Sequence, residues 1–224
     1  MTVVKYQSGS VVGYKGIQVP FTLYGKEEHS NDLVTLLPGA GYTVNSPVFH
    51  YSSDICFQKS KHILEVNYQY TNEAYNDFST SELHEAVKWD SKQIMDAVLK
   101  TNSYENYLFI GKSLGTIAMS TEMKSFNFKK TKAIWLTPLI NLDVVYETML
   151  ESKNESLCLI GDVDWLYKKE SIDMLKTNPH LATKVFSGVT HTLDYQDNPI
   201  QSIEVLKEII TEINLFLNTK QNDY

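Results

Sequence analysis

The chain has 224 residues, of which 42% are hydrophobic and 21% are charged. This length and composition predict one large domain with a substantial core and exclude extensive disorder. The formal net charge is -7, from 20 Lys and Arg against 27 Asp and Glu, which disfavours general binding to nucleic-acid phosphates without excluding a local basic patch.

The cysteine content and the first residues bear on the cellular compartment. Cys56 and Cys158 are the two cysteines, and neither lies in a Cys-x-x-Cys pair, so a reducing cytoplasm is the simplest interpretation. The segment Met1–Ser8 lacks the apolar stretch of a secretion signal. No run of about 18 apolar residues could form a membrane-spanning helix. We therefore expect a cytoplasmic protein.

Short apolar runs separated by Gly, Pro and polar residues predict the strands and helices. The chain opens with two loosely alternating segments, Ser10–Tyr14 and Gly16–Tyr24, which predict a hairpin. Further strands are predicted, in chain order, at Asp32–Leu37, His62–Tyr68, Tyr107–Ile110, Ala133–Thr137, Ser156–Ile160 and Lys184–Phe186. The predicted helices are Pro47–Lys59, Ser81–Leu99 with Ser81 as its cap, Leu114–Phe126, Val144–Leu150 and Ile203–Leu217.

Strands and helices therefore alternate from residue 32 onward. Parallel strands need crossover connections, and both faces of such a sheet must be covered, so the pattern predicts a mainly parallel central sheet with helices on both faces. In these folds the functional residues lie in loops beyond the carboxyl ends of the strands. We expect a single domain over residues 1–224, with its chemistry in those loops.

The segment Gly111-Lys-Ser113-Leu-Gly115 has the pattern G-x-S-x-G and lies between a predicted strand and a predicted helix. A nucleophile on such a turn is held clear of the backbone, and small residues two positions away prevent clashes. Free N–H groups at the start of the helix then face a developing oxyanion. The alternative is that Ser113 only caps the helix. The strand–turn–helix context favours a nucleophile.

A candidate acid follows a later strand, in Ile160-Gly161-Asp162-Val163-Asp164-Trp165. A carboxylate at this point could orient and support a histidine. Asp164 lies farther into the loop and is favoured over Asp162, which could instead organise the turn. Ordinary turn aspartates remain the alternative for either residue.

A candidate base lies after the last predicted strand, in Gly188-Val-Thr-His191. The sequence contains five other histidines, but His191 alone combines a loop position after a strand with a following helix. A lone loop histidine is usually only solvated. The order Ser113, Asp164, His191 along the chain favours the catalytic interpretation.

These segments make the sequence similar to the serine α/β-hydrolase superfamily over roughly residues 32–215. The resemblance implies an α/β-hydrolase fold with a catalytic triad of Ser113, Asp164 and His191, in which Ser113 occupies the nucleophile elbow. Its motifs are specific for the superfamily and identify no subfamily.

A fourth matching segment is Leu37-Pro-Gly-Ala40-Gly-Tyr42, which stands where the family has its oxyanion loop. The resemblance implies an oxyanion hole formed by the backbone N–H groups of Ala40 and Leu114. Family members often have His-Gly where this chain has Pro38-Gly, so the chain departs from the family pattern at this loop. A simple tight turn is compatible with the same residues.

Other site classes are not supported. Residues 39–43 do not continue into G-x-G-x-x-G, and Asn106 occupies the position at which a P-loop would need Gly. His50 and Asp54 could share a helix face, but two metal ligands without a third are more often solvated side chains. We therefore predict no cofactor and no metal.

The resemblance places a lid after the sixth strand, where only about twenty residues are available, enough for a short lid helix within 141–155. We expect a minimal lid and an open site bordered by Tyr42 and Trp165, although both could serve only packing. The predicted function is a serine hydrolase cleaving a small ester or thioester, with a small acyl compound as its partner. Cleavage of a peptide amide or carbon–carbon bond, and an inactive binding module, remain alternatives. The oligomeric state is not predicted.

Overall fold

An eight-stranded sheet forms the centre of the computed structural model, which describes residues 5–125 and 130–219. The strands are β1 Lys5–Val12, β2 Gln18–Gly25, β3 Asp32–Leu37, β4 His62–Val66, β5 Asn106–Lys112, β6 Lys130–Leu136, β7 Glu155–Gly161 and β8 Leu181–Phe186. The helices are α1 Pro47–Gln58, α2 Thr80–Leu99, α3 Gly115–Ser125, α4 Asp143–Glu151, α5 Lys169–Leu175 and α6 Pro199–Asn218.

The strand order is β1-β2-β4-β3-β5-β6-β7-β8. All neighbouring pairs among β3 to β8 are parallel, and β2 runs antiparallel to both β1 and β4. Leu37 pairs with Gly111, and Gly161 pairs with Phe186. The carboxyl ends of β3, β5, β7 and β8 therefore meet at one edge of the sheet, which confirms the predicted mainly parallel architecture.

Both faces of the sheet are buried, which explains the continuous apolar strands. Successive residues of a strand point into opposite cores. Leu33 and Phe109 belong to the core that includes residues of α2 to α5. Val34 and Ile110 belong to the core that includes residues of α1 and α6. Burying one side chain of the size of Phe109 contributes about 1.5–3 kcal/mol. A polar substitution in either layer would therefore destabilise the sheet.

Two predicted boundaries were wrong. The first strand was predicted at Ser10–Tyr14 but is observed at Lys5–Val12. Tyr14 lies instead in a tight turn over Tyr14–Gly16. Helix α2 is capped by Ser79 rather than by Ser81. The Ser79 hydroxyl accepts from the backbone N–H of Glu82, and the Glu82 carboxylate accepts from the backbone N–H of Ser79. This reciprocal pair satisfies two free N–H groups.

Helix α5 was not predicted, because it has only seven residues and lies within a polar stretch. The helix predicted over Leu114–Phe126 is observed as α3, and Phe126 lies outside the described residues. Across the two described ranges, no helix combines the length and the apolarity needed to cross a membrane.

Candidate active site

Ser113 lies on the turn between β5 and α3. Its backbone has φ +50, in the left-handed region that residues other than glycine rarely adopt, and its N–H donates to the carbonyl of Leu136 at 3.1 Å. Gly115 starts α3 so close to the Leu37 carbonyl that an added Cβ would clash with it. The turn therefore needs glycine at this position, for the steric reason that the motif suggests.

A chain of hydrogen bonds joins Ser113, His191 and Asp164. His191 Nε2 lies 2.9 Å from Ser113 Oγ, and His191 Nδ1 lies 2.8 Å from Asp164 Oδ2. An ionised carboxylate can only accept, so the neutral imidazole carries its proton on Nδ1 and leaves Nε2 free to accept from the serine hydroxyl. The three side chains named from sequence thus lie together.

The carboxylate in this chain is Asp164, which is 4% exposed. Its other oxygen, Oδ1, accepts from the backbone N–H of Leu166 at 2.9 Å, which fixes the orientation of the carboxylate. Asp162 has a different position. It accepts from the Ser187 hydroxyl at 3.0 Å and from the Gly188 N–H at 2.6 Å, and so organises the turn after β8.

The loop that carries His191 is tightly held from within. Asp194 accepts from the hydroxyls of Thr190 and Thr192, at 2.6 Å and 2.5 Å. Gly161, at the end of β7, approaches the Val189 carbonyl so closely that any side chain at this position would displace the loop. These contacts restrain the loop that carries the imidazole.

The segment after β3 lies directly over Ser113. A Cβ added to Gly39 would lie 3.2 Å from Cβ of Ser113. The preceding carbonyl, that of Pro38, accepts from the buried hydroxyl of Tyr68 at 2.6 Å. Within the described ranges, neither the Ala40 N–H nor the Leu114 N–H donates a hydrogen bond, so both are available to an incoming oxygen.

The two aromatic residues expected near the site have different surroundings. Trp165 is 71% exposed, and its ring centroid lies 5.3 Å from that of the His191 imidazole. Tyr42 is half-buried, packs on Phe49, and accepts from the Val48 N–H at the start of α1. Trp165 therefore offers an open apolar surface beside the imidazole, and Tyr42 links the segment after β3 to α1.

Metal ligands do not cluster in the part of the chain that the structure describes. No group of three or more His, Cys, Asp or Glu side chains there is arranged to hold a metal ion.

No family model matches the chain, and no curated protein is detectably similar to it.

Structural comparison gives clear similarities. An esterase from Pyrococcus furiosus has a TM-score of 0.72 and 14% identity, with 95% of this chain and 91% of that chain covered. A serine hydrolase without a lid from Xanthomonas campestris has a TM-score of 0.65 and 11% identity, with 96% and 97% covered. A protein of unknown function from Agrobacterium tumefaciens, described as a putative α/β hydrolase, has a TM-score of 0.69 and 18% identity, with 95% of each chain covered. At these identities the similarity shows a shared fold.

Proposed function

We propose that this chain, which has the α/β-hydrolase fold, is a serine hydrolase that cleaves a small ester or thioester through an acyl-enzyme. The observation that carries the proposal is the continuous hydrogen-bonded chain from the Ser113 hydroxyl through the His191 imidazole to the Asp164 carboxylate. A serine on a strained turn with a base at 2.9 Å is the arrangement that activates a hydroxyl nucleophile.

In the first step, Ser113 Oγ attacks the carbonyl carbon of the substrate while His191 Nε2 takes its proton. The imidazolium that forms is stabilised by the buried carboxylate of Asp164. His191 then delivers the proton to the leaving alcohol or thiol as the carbonyl–oxygen or carbonyl–sulfur bond breaks. The acyl group remains on Ser113 as an ester.

In the second step, water attacks the acyl-enzyme and His191 takes a proton from that water. The Ser113 oxygen leaves with the proton held by the imidazole, and the carboxylic acid is released. Both steps pass through a negatively charged oxygen, for which the N–H groups of Ala40 and Leu114 are the proposed donors. Removal of one such donor costs about 10²–10³ in rate in a well-studied serine protease.

The surroundings of Ser113 favour small acyl compounds. The connection between β6 and β7 contains the single short helix α4, and we assign it as the minimal lid of the single domain. Trp165 presents its exposed ring beside the imidazole, and we assign it to substrate binding together with Tyr42. A cytoplasmic location stays a prediction, supported by the two free, buried cysteines.

A fluorophosphonate probe tests the nucleophile, because it forms a covalent bond only with an activated serine. Wild type should be labelled, and Ser113→Ala should not be. Equal labelling of both proteins, or no labelling of wild type, would show that Ser113 is not an activated nucleophile.

A panel of p-nitrophenyl esters of graded chain length, with thioesters and peptides beside it, then tests the bond cleaved. Short esters or thioesters should be hydrolysed fastest by a labelled protein. Cleavage of peptides alone would refute the ester assignment, and a wild-type protein that is neither labelled nor active would indicate a binding module.

A further inference from the structure

A lysine is buried inside the turn that carries Ser113. Lys112 is the last residue of β5, and only 1% of its surface is exposed. Its Nζ donates to the backbone carbonyl of His191 at 2.7 Å and to Oγ1 of Thr137 at 2.9 Å. The ring of Tyr42 also contacts the ammonium, with its centroid 4.6 Å from Nζ. One cation therefore joins three segments that surround Ser113.

Thr137, which follows β6 and accepts from the Lys112 ammonium, has an unusual backbone conformation. Thr137 has φ +42, in the left-handed region where a β-branched residue is strained. Such conformations cost about 1–3 kcal/mol, occur often at functional sites, and persist only where surrounding contacts hold them. The Thr137 N–H donates to the carbonyl of Leu159 at 2.9 Å, and its hydroxyl accepts from Lys112. Thr137 is therefore a fixed acceptor for the ammonium.

The charge of Lys112 is compensated within the site. A buried ammonium is costly unless acceptors or opposite charges surround it. The charged groups that favour its protonated form are the carboxylates of Asp164 and Asp194. The other facing groups are the His191 carbonyl, the Thr137 hydroxyl and the Tyr42 ring. Burial is the largest effect and lowers the pKa of Lys112 to about 8. The protonated form therefore still predominates at pH 7.

We propose that Lys112 is a positioning residue for the reaction described above: its ammonium anchors the main chain of His191 and keeps the imidazole aligned with the Ser113 hydroxyl. This inference rests on the proposed function, since it takes His191 as the base. Lys112 acts through the backbone carbonyl of His191 and does not contact the hydroxyl that reacts. Its anchor joins β5 and β6 to the loop that follows β8.

The position of the charge has a second consequence. A positive charge near an imidazole opposes protonation of that imidazole, and it also balances the nearby carboxylates of Asp164 and Asp194. Loss of the charge should therefore move the acid limb of the rate profile to higher pH, an effect that altered packing alone would not produce.

The test compares Lys112→Met with wild type, using the fastest short p-nitrophenyl ester and measuring kcat and KM across acidic to alkaline pH. Met keeps most of the length and volume of the lysine side chain and removes its charge and its donors. We expect kcat to fall by up to about 10²-fold, because small misplacements of catalytic groups have effects of this size, with KM changed far less. The acid limb should move to higher pH.

Lys132→Met is the matched control. Lys132 also lies in the sheet, but it pairs with Glu155 and Thr219, away from Ser113, so kcat and the acid limb should match wild type. An unchanged kcat in Lys112→Met, or a lower kcat with an unmoved acid limb, would overturn the proposal. Inactive wild type would instead count against the proposed function, so the two failures are distinguishable.

A second variant keeps the proposal testable if Lys112→Met does not fold. Lys112→Gln is also uncharged but has a polar end, and circular dichroism should show whether it is folded. Its shorter, neutral side chain cannot reproduce the ammonium contacts with the His191 carbonyl and Thr137 Oγ1, so kcat should fall. Wild-type kcat in folded Lys112→Gln would overturn the proposal.

Discussion

Gly161→Ala tests whether the close approach of β7 to the histidine loop sets the position of the imidazole. An added Cβ would stand 1.9 Å from the Val189 carbonyl oxygen, whereas real Cβ atoms keep at least 3.0 Å from their neighbours. The loop must therefore withdraw by about 1 Å, two residues before His191. Since His191 Nε2 is 2.9 Å from Ser113 Oγ, such a shift breaks the hydrogen bond, and a misplacement of this size can cost about 10²-fold in rate.

The assay is kcat on a short p-nitrophenyl ester, together with the midpoint of urea unfolding. Overpacking should also lower the free energy of unfolding by about 1–3 kcal/mol. Gly9→Ala is the control, because it adds the same methyl group against the Phe21 ring in the β1–β2 hairpin, where stability should fall and kcat should not. Wild-type kcat in a folded Gly161→Ala protein would refute the reasoning.

Three further outcomes are expected. Asp164→Asn should lower kcat by about 10⁴-fold with a nearly unchanged melting temperature. The reason is that the amide can donate to His191 Nδ1 and stabilise the wrong tautomer, as in a well-studied protease. A loss of kcat below tenfold would contradict this. Tyr68→Phe leaves the Pro38 carbonyl without its buried donor, so urea unfolding should show a loss of about 1–3 kcal/mol, and kcat should fall more than KM changes. Burial raises the pKa of Glu122 from its ordinary 4.5 to about 7, although the hydrogen bond from the Ser91 hydroxyl lowers it. The folded state therefore favours the protonated acid. This contribution to stability is complete below pH 4.5 and is lost as the pH rises through about 7. Glu122→Gln should remove this pH dependence in urea titrations, and an unchanged slope would refute the assignment.

Most strands of the sheet could be predicted from the sequence, because an apolar run is a local signal. Strands buried on both faces, such as Asp32–Leu37, appear as uninterrupted apolar runs. For each predicted strand of the parallel part, at least one end lies within two residues of the observed end. Short or polar elements carry a weaker signal. Helix α5 was therefore missed, and the cap of α2 was assigned two residues late because Ser79 and Ser81 are both good caps.

The candidate site also combines residues that the sequence indicates with residues that only the structure identifies. Ser113 and His191 are recognisable from their positions at the ends of strands and from their order along the chain. Asp162 and Asp164 are equivalent in local sequence terms, and the structure distinguishes them because Asp164 turns into the protein toward the imidazole while Asp162 bonds to the turn after β8. Lys112 occupies a variable position of G-x-S-x-G and does not complete a P-loop, so the motifs predict no role for it. The signal that could have identified it is a charged residue at the end of the apolar run that starts at Leu108.

Periodicity and motif spacing are properties of neighbouring residues, and they were sufficient to predict the layered architecture and the turn between β5 and α3 that carries Ser113. The pairing of His191 with Ser113 and with the Lys112 ammonium spans 78 and 79 residues, and it depends on sheet register and on how three loops pack at one edge. No local pattern encodes such distances. The choice of acid and the burial of a lysine therefore emerge only when the strands are assembled.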